Sequence, residues 1–471
     1  MEKKRLIIHS KEDVIDFVNL NPVQKRGMLL IFVALGGIFI DAYDFVSLGI
    51  GSAQITQQFH LSSFALGFVT SIMALGAFIG ALIGGAITDK FGRNIVFLLD
   101  LVLLVIAAFG AGLSPNYTWL LIFRLLMGVG VGIDMPVALS FISEFSNIRT
   151  KSRNVNFWQG FWYIATVSSG VIGFILYVFG VNETMWRWSV AFGGIVALVV
   201  LILRYFYMNE SPMWAANNLP LTDVAKILEN TYGVSVVLDE TDVKNQGKNN
   251  AKIPFSILFS KKYRPRTLLS MIISATQSMQ YYAIGFYIPV ISTFIFGKGM
   301  LNSVTGTIIF NVFGILGGFT GAYLSTKYGT RKLAIYGYLV VAASLLFAGF
   351  TNGHVPILLS ALPIATFIFG HSTGPGAQGK TMAALSYPTA LRAIGTGGAE
   401  AASRVGSIIG FFFFPILLSD VGLSNTLLIL TFCPVIGLLS GVLIKWEPNG
   451  KDLEKETYEI AEYNSEAVTS V

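Results

Sequence analysis

Asp41 and Asp44 stand three residues apart in the first long apolar run of the chain, Gly36 to Gly49. On a helix they share a face. A carboxylate at bilayer depth costs about 2.5–3.5 kcal/mol on insertion scales, so two on one face are hard to account for as packing. They read as a functional pair facing a protein interior or a water-filled cavity. The alternative is that the run ends before Asp41 and leaves both acids in a wet loop. It is opposed by Phe45, Val46, Leu48 and Ile50, which carry the apolar character past them. Arg124 lies roughly six residues from the outer end of its own apolar run, about 9 Å at the helical rise. Asp44 lies about as far from the outer end of the first run, so a buried Asp44–Arg124 pair is geometrically sound.

Uncharged polar groups also recur at helical spacing. Gln277 and Gln280 share a face, with Tyr281 beside them. An amide offers both donors and an acceptor, which suits hydroxylated or carboxylated solutes; polar packing between helices is the alternative. Gln159 reads as cavity-lining, while Trp158 beside it serves equally as an interfacial anchor. From Gly370 to Lys380 the chain reads Gly-His-Ser-Thr-Gly-Pro-Gly-Ala-Gln-Gly-Lys. Gly and Pro at that density predict a broken helix, tolerated in a bilayer only where it is buried in protein or lines a cavity. Gln378 joins the candidate substrate contacts there, and His371 suits titration, substrate binding or a structural hydrogen bond equally. Glu400 and Arg404 are four residues apart in the order that favours an ion pair; the other reading has Arg404 contacting an anionic substrate.

The elements that hold these groups are membrane helices. The 471 residues are 54% hydrophobic and only 12% charged, about half the charged fraction of a soluble domain. Apolar runs of spanning length recur at about 28–50, 65–87, 95–113, 118–142, 156–180, 187–208, 267–292, 302–325, 333–351, 355–378, 393–419 and 424–446. The expected architecture is an all-α polytopic membrane protein of twelve transmembrane helices. Residues 1–27 form an N-terminal segment, 28–208 a first six-helix half, 209–266 a polar linker, 267–446 a second half and 447–471 a polar, acidic, disordered tail. Within the linker, Ser211 to Tyr232 has weak helical periodicity and Lys244 to Asn250 reads as flexible. The run from Met28 is too long for a signal peptide and lacks a small-residue cleavage site, so it remains the first span. Of 32 Lys and Arg, 27 fall in segments on one side, which predicts cytoplasmic termini and linker in the cell's inner (plasma) membrane. The same placement explains the net charge of +6 without nucleic acid. The single cysteine, Cys433, excludes a disulfide within the chain.

The halves repeat. Gly85-Ala-Ile-Thr-Asp89-Lys-Phe-Gly92-Arg93 follows the second span, and Ala322-Tyr-Leu-Ser-Thr326-Lys-Tyr-Gly329-Thr-Arg331 follows the eighth. Asp89 is placed to accept from the N-terminus of a neighbouring helix, and Arg93 to bridge a neighbouring acid. This turn resembles the signature of the major facilitator superfamily, in which it latches the cytoplasmic side; Thr326 in place of an acid implies a weaker second latch. Arg124-x-x-x-Gly128-x-Gly130-x-Gly132 with Tyr43-Asp44 resembles proton-coupled sugar transporters. That resemblance implies Asp44 as proton acceptor and Arg124 as its modulator. The Asp41/Asp44 pair, and Gly132-Ile-Asp134-Met-Pro136, look more like aromatic-acid and phosphate symporters, which implies Asp134 at the substrate cavity. Ser143-Glu144-Phe145 before Arg149, Lys151 and Arg153 resembles the gate loop of metabolite transporters, though Asn147 and Lys151-Ser152 depart from it. Gln378 stands near the position where sugar porters carry Trp. Tyr387-Pro-Thr-Ala-Leu-Arg392 resembles the loop before span 11 of metabolite symporters, with Leu385 where they carry Glu.

The resemblance implies a secondary active transporter, not an enzyme: a proton-coupled symporter for a small polar metabolite, an organic anion ahead of a sugar. Asp41, Asp44 and Arg124 would couple the proton. Asp134, Gln159, Gln277, Gln280, Tyr281, His371, Gln378 and Arg404 would bind substrate. Gly85, Asp89, Gly92, Arg93, Glu144, Arg149, Arg392 and Glu400 would form the gate. No cofactor or metal is expected; the partners are substrate, protons and membrane lipid, and the chain acts as a monomer. A uniporter, a proton-antiport exporter or a non-transporting nutrient receptor of the same fold are the alternatives. The amide-rich faces oppose a drug exporter, and the short tail opposes a receptor.

Overall fold

Two reversals of the chain show how the sequence repeat becomes structure. Gly92 (φ 93°) and Gly329 (φ 84°) both lie in the left-handed region, where a side chain is strained and glycine is not. Each ends one long helix and starts the next. The computed structural model describes residues 5–181, 183–238, 255–351 and 355–456.

Spans 1 to 6 are Lys25–Ile50, Ser63–Phe91, Arg93–Gly112, Tyr117–Phe145, Lys151–Val178 and Met185–Tyr207. Span 7 is the pair Arg264–Ile284 and Ile288–Phe296, bent by 45°. Spans 8 and 9 are Met300–Tyr328 and Thr330–Thr351. Span 10 is broken at Gly374 into Ile357–Thr373 and Pro375–Leu385, the break expected from its Gly and Pro. Spans 11 and 12 occupy Thr389–Leu430 and Phe432–Leu443, with the reversal at Gly422 (φ 76°). Among the described residues nine helices are long and apolar enough to cross a membrane, ten with the bent pair. Two further spans are hidden in that count, because spans 11 and 12 run together and span 10 is split. The fold is therefore all-α and polytopic, with two six-helix halves.

Small residues bring helix backbones together. A Cβ on Gly76 or Gly80 of span 2 would run into the Leu125 or Val129 carbonyl of span 4, and Gly128 and Gly132 meet span 2 in the same way. Spans 8 and 10 repeat this, with Gly317 against the Phe369 carbonyl and Gly321 against that of Thr373. Such close approach is how membrane helices gain van der Waals contact where lipid gives no hydrophobic drive. The halves meet along spans 2 and 11 and along spans 5 and 8. A Cβ on Gly85 would lie 2.6 Å from the Ala393 carbonyl, and one on Gly160 2.9 Å from the Phe319 ring.

At the end carrying both described termini, the N-terminal segment and the linker share a small apolar core. Strand Arg5–Ile8 pairs in parallel with Ser235–Leu238. Helices Lys11–Leu20, Pro212–Asn218 and Leu221–Tyr232 pack Val14, Phe17, Met213, Val224 and Leu228 beneath them. Lys244 to Asn250 lie outside the described residues. The tail departs from the disorder expected of it. Residues 447–456 are docked, because their acids have fixed cations and amides to meet; 457–471 lie outside the described residues. Glu447 accepts from the Thr330 amide (3.1 Å), the Thr330 hydroxyl (2.9 Å) and the Arg331 amide (2.9 Å).

Candidate functional site

Three groups of buried charge occupy the molecule. The first closes the end that carries the termini. Arg93 forks onto Glu144 (3.1 and 2.8 Å) and reaches Asp89 at 3.2 Å. Glu144 also meets Arg392 across the halves at 3.4 Å, and Arg392 pairs with Glu454 of the tail. Ser140 to Thr396 (3.2 Å) and Ser143 to the Ala384 carbonyl (3.2 Å) add cross-half bonds. Two expectations need correction here. The amides that open span 3 are capped by Glu210 (Arg93 amide 2.9 Å, Asn94 amide 3.2 Å) and not by Asp89, because Asp89 is turned to the Arg93 guanidinium. Glu447 repeats that cap in the second half, where the Arg331 guanidinium meets the Gly441 and Val442 carbonyls and no acid among the described residues. Arg149 is exposed on its loop, away from the cluster.

Glu454 gives this closure a pH signature. Burial pushes its carboxyl up, and Arg392 and Lys151 more than reverse this, holding it below the ordinary carboxylate range. A depressed acid stabilises above the unfolded value of about 4.3 and loses that contribution as pH falls through the lower folded value. Glu454→Gln is expected to destabilise the protein at pH 7 by roughly 1–3 kcal/mol, a difference that shrinks as pH falls through the lowered folded value of Glu454. A pH-independent difference would mean that the charge is not what Glu454 contributes.

The second group lines a cavity between the halves. Its aromatic wall is Trp158 and Trp162 of span 5 with Tyr281 and Tyr282 of span 7. Gln159, Gln277, Ser278 and His371 supply polar atoms, and Lys380, from the second piece of span 10, is its one charged lining residue among the described ones. Lys380 is 4% exposed and bonds Glu400 at 2.7 Å. Glu400 also pairs with Arg404, which donates to the Tyr282 hydroxyl at 3.1 Å. His371 stacks on Tyr281 (4.9 Å, 13°) and contacts Gln280 at 3.3 Å.

Several sequence candidates thus stand elsewhere than expected. Gln280 is outside the cavity lining: its Nε2 contacts His371, and its buried Oε1 has no partner among the described residues. Gln378 donates to the Thr373 carbonyl (3.3 Å) beside the helix break, away from the cavity lining. Arg404 is one layer behind the wall, held by Glu400, and Glu400 is here instead of at the terminal gate. The i, i+4 spacing of the pair explains both placements.

The third group lies within the first half. Asp134 pairs with Arg204 of span 6 at 2.6 Å, and Asp100 of span 3 reaches the same guanidinium at 3.5 Å. Asp134 is therefore engaged inside its half and does not line the cavity. Arg204 also stacks on Phe97 at 4.1 Å. Asp41 is fully buried within electrostatic range of Asp134, Arg404, Arg204 and Asp44, and its carboxylate accepts no hydrogen bond among the described residues. Arg124 bonds the Asp44 backbone carbonyl at 2.8 Å, not its carboxylate. The depth argument placed the two together; the side-chain direction on the helix decides which atom is met.

Lys380, Arg204, Asp100, Glu210 and Glu454 are the functional candidates that sequence reading passed over. For Arg204 and Asp100 the signal was present, since each is an ionisable group within an apolar run; Lys380 lies past the run 355–378.

The profile of the family described as "Sugar (and other) transporter" matches residues 29–459. The inner membrane metabolite transport protein YgcS of Escherichia coli K12 is 26% identical over 433 residues, 92% of this chain and 94% of its own length. The niacin transporter NiaP of Acinetobacter baylyi is 25% identical over 459 residues, 94% of this chain and 99% of its own. Among solved structures, the major facilitator superfamily proton:xylose symporter XylE of E. coli, bound to 6-bromo-6-deoxy-D-glucose, superposes with a TM-score of 0.74. It is 19% identical and the match covers 91% of this chain and 98% of that one.

Proposed function

The chain belongs to the sugar (and other) transporter family, and from that premise we propose that it is a proton-coupled symporter that carries a small organic anion inward by alternating access. It is a membrane transporter and not an enzyme. What supports an anion over a sugar is the lining residue Lys380. Its ammonium is held by Glu400, which also holds Arg404, and a substrate carboxylate can replace Glu400 there as a neutral sugar cannot. NiaP carries niacin, a carboxylic acid, by its name; XylE carries xylose. Gln159 and Gln277 would serve either solute.

The concentration of Lys and Arg on the end that carries the termini favours that end as cytoplasmic, in the cell's inner membrane. The cluster of Arg93, Glu144, Arg392 and Glu454 is then the inner gate. On the opposite side of the cavity, Phe45, Tyr282, Phe286 and Phe411 pack ring on ring as the outer closure. Rocking of the halves about the 2–11 and 5–8 contacts would open one closure while the other holds. Asp41 is the proton carrier in this reading, because it is buried between the charge groups of both halves without a hydrogen bond of its own. Asp44 with Arg124 sets the field around it.

Proteoliposomes with an alkaline interior and an acidic medium test this. They should accumulate labelled nicotinate or benzoate above protein-free vesicles, and lose the excess when a protonophore collapses the gradient. Accumulation of glucose or xylose with no carboxylate above background would sink the anion reading. Uptake indifferent to the protonophore would sink the coupling.

A further inference from the structure

We infer that an anionic phospholipid docks on the seam between spans 5 and 8, at the end that carries the termini. Its phosphate is held between Arg153 of the first half and Lys327 of the second. The site is separate from the cavity and stands whatever the substrate is.

Arg153 lies on the first turn of span 5 and Lys327 on the last turn of span 8. Tyr323 stands between them. It is 59% exposed and lies four residues before Lys327, roughly 5–6 Å along one helix face. The Arg153 guanidinium is 5.8 Å from the Tyr323 ring, and Phe157 of span 5 meets that ring edge to face at 6.1 Å and 74°. One cation from each half thus flanks a single exposed tyrosine.

Both cations lack an acid. Neither span 5 nor span 8 contains an Asp or Glu, and neither side chain makes an ion pair among the described residues. Glu447 approaches the same end of span 8, but its oxygens are taken by the Thr330 and Arg331 amides. The Arg153 Nε is buried and has no acceptor among the described residues. A buried N–H needs an acceptor. The unesterified oxygens of a phosphodiester supply one to the planar guanidinium, and the same group is a counter-charge for the Lys327 ammonium.

The surface beside the cations is that of an amphiphile's site. Ile309, Phe313, Leu316 and Tyr323 are exposed, and with Lys327 they recur at helical spacing along one face of span 8. An acyl chain follows such a stripe and brings its headgroup to the cations at the stripe's end. Tyrosine at that level suits the headgroup region, and basic residues there attract anionic lipid. A soluble phosphate would leave the stripe unused. Because the halves meet along spans 5 and 8, a phosphate shared by Arg153 and Lys327 ties them together while the nearby charge cluster is closed.

Native mass spectrometry of the full chain in nonionic detergent tests this, with phosphatidylglycerol and phosphatidylcholine of the same acyl chains titrated separately. Phosphatidylglycerol should bind more tightly. Arg153→Gln and Lys327→Gln should each weaken it roughly fivefold and leave phosphatidylcholine unchanged, while Arg153→Lys keeps part of the preference. Lys261→Gln removes an exposed cation of the loop before span 7 and should change nothing. In phosphatidylcholine nanodiscs the variants should unfold near the wild-type midpoint, which shows that they are folded. Added phosphatidylglycerol should raise the midpoint of wild type more than that of the Arg153→Gln variant, and soluble glycerol phosphate should not. Equal binding of both lipids by wild type overturns the inference, as does an equal loss in Lys261→Gln. A full rise with glycerol phosphate assigns the cations to a free anion and overturns it too.

Discussion

Asp41→Asn is expected to abolish accumulation of substrate driven by a proton gradient, while exchange of labelled for unlabelled substrate across the membrane continues. Four buried carboxylates, Asp41, Asp100, Asp134 and Glu400, are linked by proximity to three cations, Arg204, Arg404 and Lys380. Asp44, within range of Asp41, is balanced by Arg124 and adds no net charge. With every group ionised the larger network carries one negative charge too many. An anionic substrate would raise that surplus to two, at a depth where uncompensated charge is very costly. A proton arriving with the substrate restores the charge of the empty site. In the proposed symport, the surplus carboxylate opposes movement of the anion alone and asks for one proton per monoanion. Asn at position 41 makes the empty network neutral with no proton bound. The anion then brings it to a single negative charge without one, so transport persists and coupling is lost. The measurement pairs uphill uptake with counterflow in the same vesicles. Uphill uptake at wild-type levels would move the proton site elsewhere. Asp44→Asn is the comparison: equal uncoupling by both would mean that the pair titrates as one unit.

The membrane spans, the repeat and the paired turns were legible because each is a local pattern: apolar length, a Lys-x-Gly turn, Gly and Pro in density. Span 10 shows where locality ended. Its break was visible, but the helix resumes at Pro375 and runs to Leu385. Lys380 falls two residues past the apolar run 355–378 and reads as part of a connecting region, yet it is buried in the cavity wall. Arg204, near the end of an apolar run, reads as an interfacial anchor until Asp134 and Asp100 are seen to converge on it from two other spans. Partner choice is a tertiary fact. Asp44 and Arg124 were matched in depth, yet the guanidinium meets a backbone carbonyl. Glu454 was invisible for another reason. An acid in a polar tail carries no signal until the fold brings Arg392 and Lys151 to it.

Arg204→Met is the substitution with the largest expected cost to stability. Met conserves much of the side-chain volume and can pack on Phe97, so the change isolates the charge. It leaves Asp100 and Asp134, 2% and 0% exposed, with no cation between them, and loss of one partner from a buried ion pair costs about 3–5 kcal/mol. The network then holds four carboxylates against two cations, and part of the penalty is relieved by protonation of one acid. That relief makes the defect smaller at low pH. Neutralising an acid by mutation should do the same without the proton. Asp134→Asn, whose parent contacts Arg204 at 2.6 Å, should restore more stability to Arg204→Met than Asp100→Asn, whose parent contacts it at 3.5 Å. Each Asn substitution alone, with Arg204 in place, should destabilise. Unfolding midpoints of the three single and two double variants in one detergent measure this sign reversal, which pairing with Arg204 requires and simple packing does not. Additive losses in the doubles would show that Arg204 is held for its shape and not its charge.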